Sequence, residues 1–214
     1  MLTCYIVKNG LLHPIVNEQI GDCKGQMVWA DLYNPSIEEE AFLELLLGID
    51  APTREEMHDI ELSSRLYMKN HMVYATATLV TKADTLDPET HAITFVIAEQ
   101  YMITIRYCDP KPFRAFIRQT VEPMSEGYQG NEVFSDMFEL IVERLAEILE
   151  KNGRTIDGLT RSIFRWKQKD AQGNLITKPD FEEMLLDIGL AGDLVSKTRE
   201  SMVSFNRLAG FILQ

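Results

Sequence analysis

The chain has 214 residues, 45% hydrophobic and 25% charged, with 33 acidic against 21 basic side chains and a net charge of −12. That length allows one large domain or a domain with a helical appendage. The acid surplus argues against nucleic acid or an anionic membrane surface as a direct partner.

Cys4, Cys23 and Cys108 are odd in number and lack CxxC spacing. They fit a reduced compartment better than a disulfide framework. The chain does not open with a basic segment followed by an apolar one, so a secretory signal is not expected. No run approaches the ~20 apolar residues that span a bilayer.

Taken in order, Leu2–Val7 and Leu11–Val16 flank Asn9-Gly10, the strongest short-range hairpin signal. Gly21–Gly25 reads as a loop and Met27–Leu32 as a buried strand. Ser36-x-x-Glu39 is a capping box that opens a helix carrying Phe42, Leu43, Leu45, Leu46 and Leu47 to a stop at Gly48. Thr53-Arg54-Glu55-Glu56 is a second box, followed by a short acidic turn holding His58 and Asp59. Arg65–Lys69 and Met72–Thr81 form a hairpin across Asn70-His71, with Lys82–His91 as a loop. Ile93–Ile97 and Met102–Tyr107 form another across Glu99-Gln100, and Phe113–Val121 reads as a helix.

From Asn131 apolar residues recur at three- and four-residue steps, the signature of a long amphipathic helix that Asn152-Gly153 is placed to kink. Gly173 and Pro179 break it within Asp170–Pro179. Phe181–Ile188 reads as a short helix stopped by Gly189, and a further helix runs from Leu194 towards Gln214, which suggests a longer natural chain. Strands with short helices, then helices alone, predict an α/β (α+β) core over residues 1–128 and a long-helix arm over 129–214.

Candidate chemistry is sparse. His13, His58, His71 and His91 lie in separate elements with no metal-ligand spacing. No nucleophile elbow, P-loop or dinucleotide fingerprint is present, so an enzyme is not expected. Hydrated Mg2+ needs only one or two carboxylates, and Asp59, beside His58 and Glu61 with Glu55 and Glu56 a turn earlier, can supply one. The alternative is a solvated helix end with acids favouring the dipole. Glu139, Glu143, Glu147 and Glu150 line one face of the long helix, and Asp84, Asp87 and Glu89 read as loop solvation. The last helix sets a basic, Ser-rich face (Ser196, Lys197, Arg199, Ser201, Ser204, Arg207) opposite its apolar one. Helix-on-helix packing is expected there rather than a membrane surface.

Trp29-Ala30-Asp31-Leu32, Asn34-Pro35, Leu43–Gly48 and Thr53–Arg65, with Thr94–Ile97, Ile103–Arg106, Phe138–Leu140, Arg144–Ala146 and Asp193–Arg207, stand in an order that resembles the CorA-type magnesium transporters. The resemblance implies an αβα sandwich with a mixed, hairpin-rich sheet, followed by an arm of long antiparallel helices. It also implies the cytoplasmic sensing domain of a homopentameric Mg2+ channel at the inner membrane, which in the family also passes Co2+ and Ni2+. The family's regulatory carboxylate matches Asp59. The preceding residue, often acidic in relatives, is His58 here. Stalk helix, transmembrane helices and the Gly-Met-Asn signature do not occur in this sequence. Pore and membrane contact would therefore belong to C-terminal parts beyond it, and pentamer contacts in this fragment are expected to be weak or absent. The zinc-transporting branch of the superfamily and a free-standing soluble interaction module are the alternatives.

Overall fold

The computed structural model describes residues 1–15, 20–59, 61–118, 127–165 and 180–213. Seven strands form one sheet: β1 (Leu2–Lys8), β2 (Leu11–Ile15), β3 (Met27–Tyr33), β4 (Leu66–Lys69), β5 (Met72–Thr81), β6 (Glu89–Ile97) and β7 (Met102–Arg106). Their order is β2-β1-β3-β7-β6-β5-β4. Among the described residues only the central β3–β7 pair is parallel.

The sheet is built from hairpins whose turns follow from their sequence. Asn9 and Gly10 take φ values of 52° and 75°, and Asn70 and His71 values of 51° and 63°. Both pairs are left-handed, as a two-residue type I′ turn demands of a twisted hairpin. Ala98 N–H donates to the Tyr101 carbonyl at 3.0 Å and closes the β6–β7 turn around Glu99-Gln100.

Helices cover both faces, giving the expected αβα sandwich. On one face α1 (Ile37–Leu47) and a 3₁₀ turn (Glu56–His58) pack Leu43 and Met57 against Ala30, Leu32, Tyr74, Val96, Ile103 and Ile105. Ser36 and Glu39 form the expected capping box, and Gly48 ends α1 at φ 68°. On the other face α3 (Lys111–Arg118), α4 (Gly130–Arg165) and α5 (Phe181–Ile212) bury Phe113, Phe116, Met137, Ile141 and Phe205 on Trp29, Phe95 and Ala77. A short α2 (Leu62–Arg65) leads into β4. Alternate residues of β5 thus enter two separate cores, which is why Tyr74 and Thr76 are as buried as Ala75 and Ala77. The first residue of α4 is a close approach, because a Cβ at Gly130 would lie 2.3 Å from the Tyr101 carbonyl carbon.

Several elements depart from the sequence reading. The loop after β5 ends earlier, since β6 starts at Glu89, and the expected loop at Gly21–Gly25 is a 3₁₀ helix over Gly21–Gln26. Arg65 closes α2 rather than opening β4. Gly189 does not stop a helix: α5 is continuous through it, as α4 is through Asn152-Gly153. A single glycine costs a helix only about 1 kcal/mol. Here Met184, Ala191, Phe205 and Leu208 are buried along α5, while Asn152 Nδ2 donates to the Ala191 carbonyl at 2.9 Å, clamping the two helices together. The expected strand end at Val16, the helix end at Val121 and the break over Asp170–Pro179 lie outside the described residues.

Two serines of that α5 face, Ser201 and Ser204, are turned towards the sheet, whereas Ser196, Arg199 and Arg207 of the same face are exposed. β4 pairs with β5 only as far as Ala75, which leaves the rest of that β5 edge bare. Ser204 Oγ accepts from Thr78 N–H at 2.9 Å, and Ser201 Oγ accepts from Val80 N–H at 2.8 Å. The helix thus docks on a sheet edge as well as on α4, and its hydroxyls replace the missing strand.

Candidate functional site

The candidate metal carboxylate sits on a turn that is built from both ends. Thr53 N–H and Oγ1–H donate to Glu56 Oε2 at 2.7 and 2.8 Å, and Glu56 N–H donates back to Thr53 Oγ1 at 3.3 Å. The expected capping box forms, but it caps a single 3₁₀ turn, because Asp59 leaves at extended angles (φ −59°, ψ 141°). Met57 is fully buried under this turn. Arg65 Nη2 reaches the Met57 carbonyl at 3.4 Å and Arg65 Nη1 reaches Thr78 Oγ1 at 3.4 Å, joining the turn to β5.

Asp59 and His58 are both exposed on this anchored turn. Among the described residues the Asp59 carboxylate has no hydrogen bond or ion pair, so both oxygens face solvent. The His58 ring lies 2.7 Å from the Arg54 carbonyl through Nδ1. A carbonyl only accepts, so Nδ1 carries the proton in this bond and Nε2 is left without a protein partner among the described residues. Glu55 and Glu61 are also exposed, whereas Glu56 is consumed by the capping bonds. Hydrated Mg2+ can be held through its waters by such a sparse set. Among the described residues no three His, Cys, Asp or Glu side chains converge as a ready-made metal cage.

The remaining sequence candidates are dispersed. His13 and His71 are exposed, and His91 Nε2 lies 3.0 Å from Glu89 Oε2. Burial pushes the thiols of Cys4 and Cys108 up to about 12, so neither offers a thiolate near neutral pH. On α4, Glu147 pairs with Arg144 at 2.5 Å and Glu150 with Arg154 at 3.6 Å, which relieves part of the expected stack of like charge.

Two motif blocks that carry the resemblance prove to be one buried network across the parallel seam. Asp31 lies opposite Thr104 in the β3–β7 register. Asp31 Oδ2 accepts from Arg106 Nη2 at 2.8 Å, and Arg106 Nε approaches both Asp31 oxygens at 3.0 and 3.2 Å. Thr104 Oγ1–H donates to Asp31 Oδ1 at 2.8 Å while accepting from Trp29 Nε1 at 3.0 Å. The Arg106 guanidinium is stacked between Tyr33 and Phe113. Burial works against its charge, but the hydrogen bonds to Asp31 outweigh that and hold its pKa above the ordinary value.

Asp84 is not loop solvation. Lys111 and Lys151 donate to it at 2.6 and 2.9 Å and Arg144 at 2.5 Å, so one carboxylate fastens the β5–β6 loop to α3 and α4. Those hydrogen bonds, Lys111 first and then Lys151, hold its pKa well below the usual carboxylate range. A depressed folded value gives stability that is fully present above the unfolded value of about 3.9 and is lost as pH falls towards the folded one. With its side chain 31% exposed, Asp84→Asn is expected to cost about 1–2 kcal/mol at pH 7. The gap between variant and parent should narrow progressively as pH falls below about 4 in urea denaturation. Sequence spacing gave no sign of this hub, since its cations come from two later helices.

The αβα sandwich with its parallel central seam and two-helix arm has counterparts among solved structures. The structure is similar to the soluble domain of CorA from Methanocaldococcus jannaschii, with TM-score 0.55 and 13% identity over 99% of this chain and 95% of that one. It is also similar to the ZntB cytoplasmic domain from Vibrio parahaemolyticus, with TM-score 0.51 and 8% identity over 98% of this chain and 93% of that one. At those identities the likeness speaks for the fold alone.

The chain belongs to the CorA-like Mg2+ transporter protein family, which it matches over residues 24–180. The magnesium transport protein CorA of Wolinella succinogenes is 24% identical over 220 aligned positions, covering 100% of this chain and 65% of that protein. The one from Campylobacter jejuni is 26% identical over 224 positions, covering 100% and 66%. The chain therefore spans just under two thirds of the length of these relatives.

Proposed function

We propose that this chain is the sensing and gating domain of a CorA-like transporter of Mg2+, with Co2+ and Ni2+ as further cargo. The observation that carries the reading is the pairing of family membership with an unpaired, exposed Asp59 on a turn anchored by Met57 and Arg65. In this reading the full-length protein is a homopentamer in the inner membrane with this domain on the cytoplasmic side. Asp59 faces a neighbouring subunit there, with His58 Nε2 beside it. Acidic faces of adjacent subunits repel, and hydrated Mg2+ between them offsets the repulsion and favours the closed ring. In this reading transport itself belongs to the part of such a transporter that the relatives have and this chain does not align with, since the chain covers 65% and 66% of the two named above.

The test uses the full-length protein in proteoliposomes. Asp59→Asn is expected to raise the internal Mg2+ needed for half-inhibition of uptake several-fold, while the isolated domain keeps its stability within about 0.5 kcal/mol. Uptake that stays equally sensitive to internal Mg2+ would remove Asp59 from the sensor. A zinc transporter is the second reading, and a ZntB cytoplasmic domain shares the fold. Zn2+ flux exceeding Mg2+ flux in the same vesicles would select it, and a protein with no cation flux would leave a soluble interaction module.

A further inference from the structure

Three arginines meet in one cleft beside the bare edge of β5. The cleft has a volume of about 540 Å³ and is lined by Arg65, Arg199 and Arg207, with the hydroxyls of Thr78, Ser196 and Ser204. Arg199 and Arg207 stand two helical turns apart on one face of α5, with Val203 between them, and Arg65 comes from the end of α2 opposite. Glu200 is the one acid in the lining, so the cleft keeps a surplus of two positive charges in a chain whose net charge is −12.

Several donors there lack acceptors. Arg65 Nε is buried with no hydrogen-bond partner, and its two terminal nitrogens make only the 3.4 Å contacts to Thr78 and Met57. Among the described residues neither Arg199 nor Arg207 has a carboxylate within 4.0 Å. Ser204 Oγ accepts from Thr78 N–H, which leaves its own O–H to donate. A desolvated guanidinium nitrogen beside further unspent N–H and O–H groups is complementary to an acceptor-only ligand that carries more than one negative charge. Planar guanidinium forks match tetrahedral and planar oxyanions, and the cleft is larger than one phosphate requires.

We propose that this cleft binds a soluble phosphate compound, its phosphate oxygens received by Arg65, Arg199 and Arg207. Inorganic diphosphate and a nucleotide triphosphate share that chemistry. Because Arg65 also holds the Met57 carbonyl, the bound anion would pull on the turn that presents Asp59. The binding itself does not depend on that turn sensing a metal.

Calorimetric titration of the chain with inorganic phosphate, inorganic diphosphate and ATP, each without added divalent cation, tests the site. Diphosphate or ATP is expected to bind saturably with 1:1 stoichiometry. Arg199→Ala and Arg207→Ala, both at exposed positions, should each weaken it at least about tenfold with unchanged circular dichroism. ATP binding well above diphosphate would identify a nucleotide as the source, and equal binding the phosphate groups alone. Absence of saturable heat up to about 10 mM of every anion, or affinity indifferent to both substitutions, would overturn the proposal. Arg65→Lys supplies an independent reading in a folded protein. It keeps the charge but loses the fork, and should weaken binding without abolishing it.

Discussion

Arg106→Met is expected to destabilise the chain by about 3–5 kcal/mol, the cost of leaving a buried carboxylate without its cation. Asp31 and Arg106 side chains are each only 5% exposed, and Thr104 satisfies just one of the Asp31 oxygens once the guanidinium is gone. Asp31→Leu alone should cost a similar amount, because Arg106 would keep only the Cys108 carbonyl and the more distant Asp109. The double variant Asp31→Leu/Arg106→Met separates two accounts of the network. Removing both charges should recover much of the loss, since a buried pair replaced by apolar groups is often neutral or better. Guanidinium denaturation of the four proteins measures this. If the double variant is as unstable as the sum of the singles, Asp31 and Arg106 act independently and the pair is not a coupled unit.

Ser201→Ala is expected to cost about 1–3 kcal/mol, more than a helix surface serine normally commands. Its hydroxyl is the acceptor for Val80 N–H, on an edge where β4 does not reach, and Ser201 is fully buried. Alanine leaves that amide desolvated and unpaired. Adding Ser204→Ala strips Thr78 N–H as well, and should make those two amides exchange with solvent far faster than their β5 neighbours. Hydrogen exchange at Thr78 and Val80 that is unaltered in the double variant would mean that water or a backbone shift replaces the serines.

The sequence made most of this fold readable because local rules operate without conflict. Asn9-Gly10 and Asn70-His71 set their turns, Ser36 and Glu39 set a cap, and the hairpin across Glu99-Gln100 placed the facing ends of β6 and β7. The failures share one cause. Gly189 is a fair helix stop by propensity, but contacts between α4 and α5, fixed far along the chain, outweigh its roughly 1 kcal/mol. Ser201 and Ser204 look like a solvent face until a strand edge lies against them. Asp84 looks like an ordinary loop acid until Lys111, Arg144 and Lys151 arrive from other elements. For the candidate site, spacing marks the Thr53–Glu56 box and exposes Asp59. Arg65 enters only as the last residue of the Thr53–Arg65 block, because its role depends on Met57 and Thr78 being brought to either side of it.

The parallel seam also dictates an order of events during synthesis. Asp31 and Thr104 are 73 residues apart, whereas β5, β6 and β7 can zip up as successive hairpins. On a ribosome adding about 5–20 residues per second, the nascent β1–β3 unit waits roughly 4–15 seconds with β3 unpaired on one side. Its bare rim holds Trp29 and Leu32, and it must be shielded or kept transient until β7 emerges. The meeting of its two halves is therefore the long-range step in making this domain, and β3 is the strand left waiting for its partner.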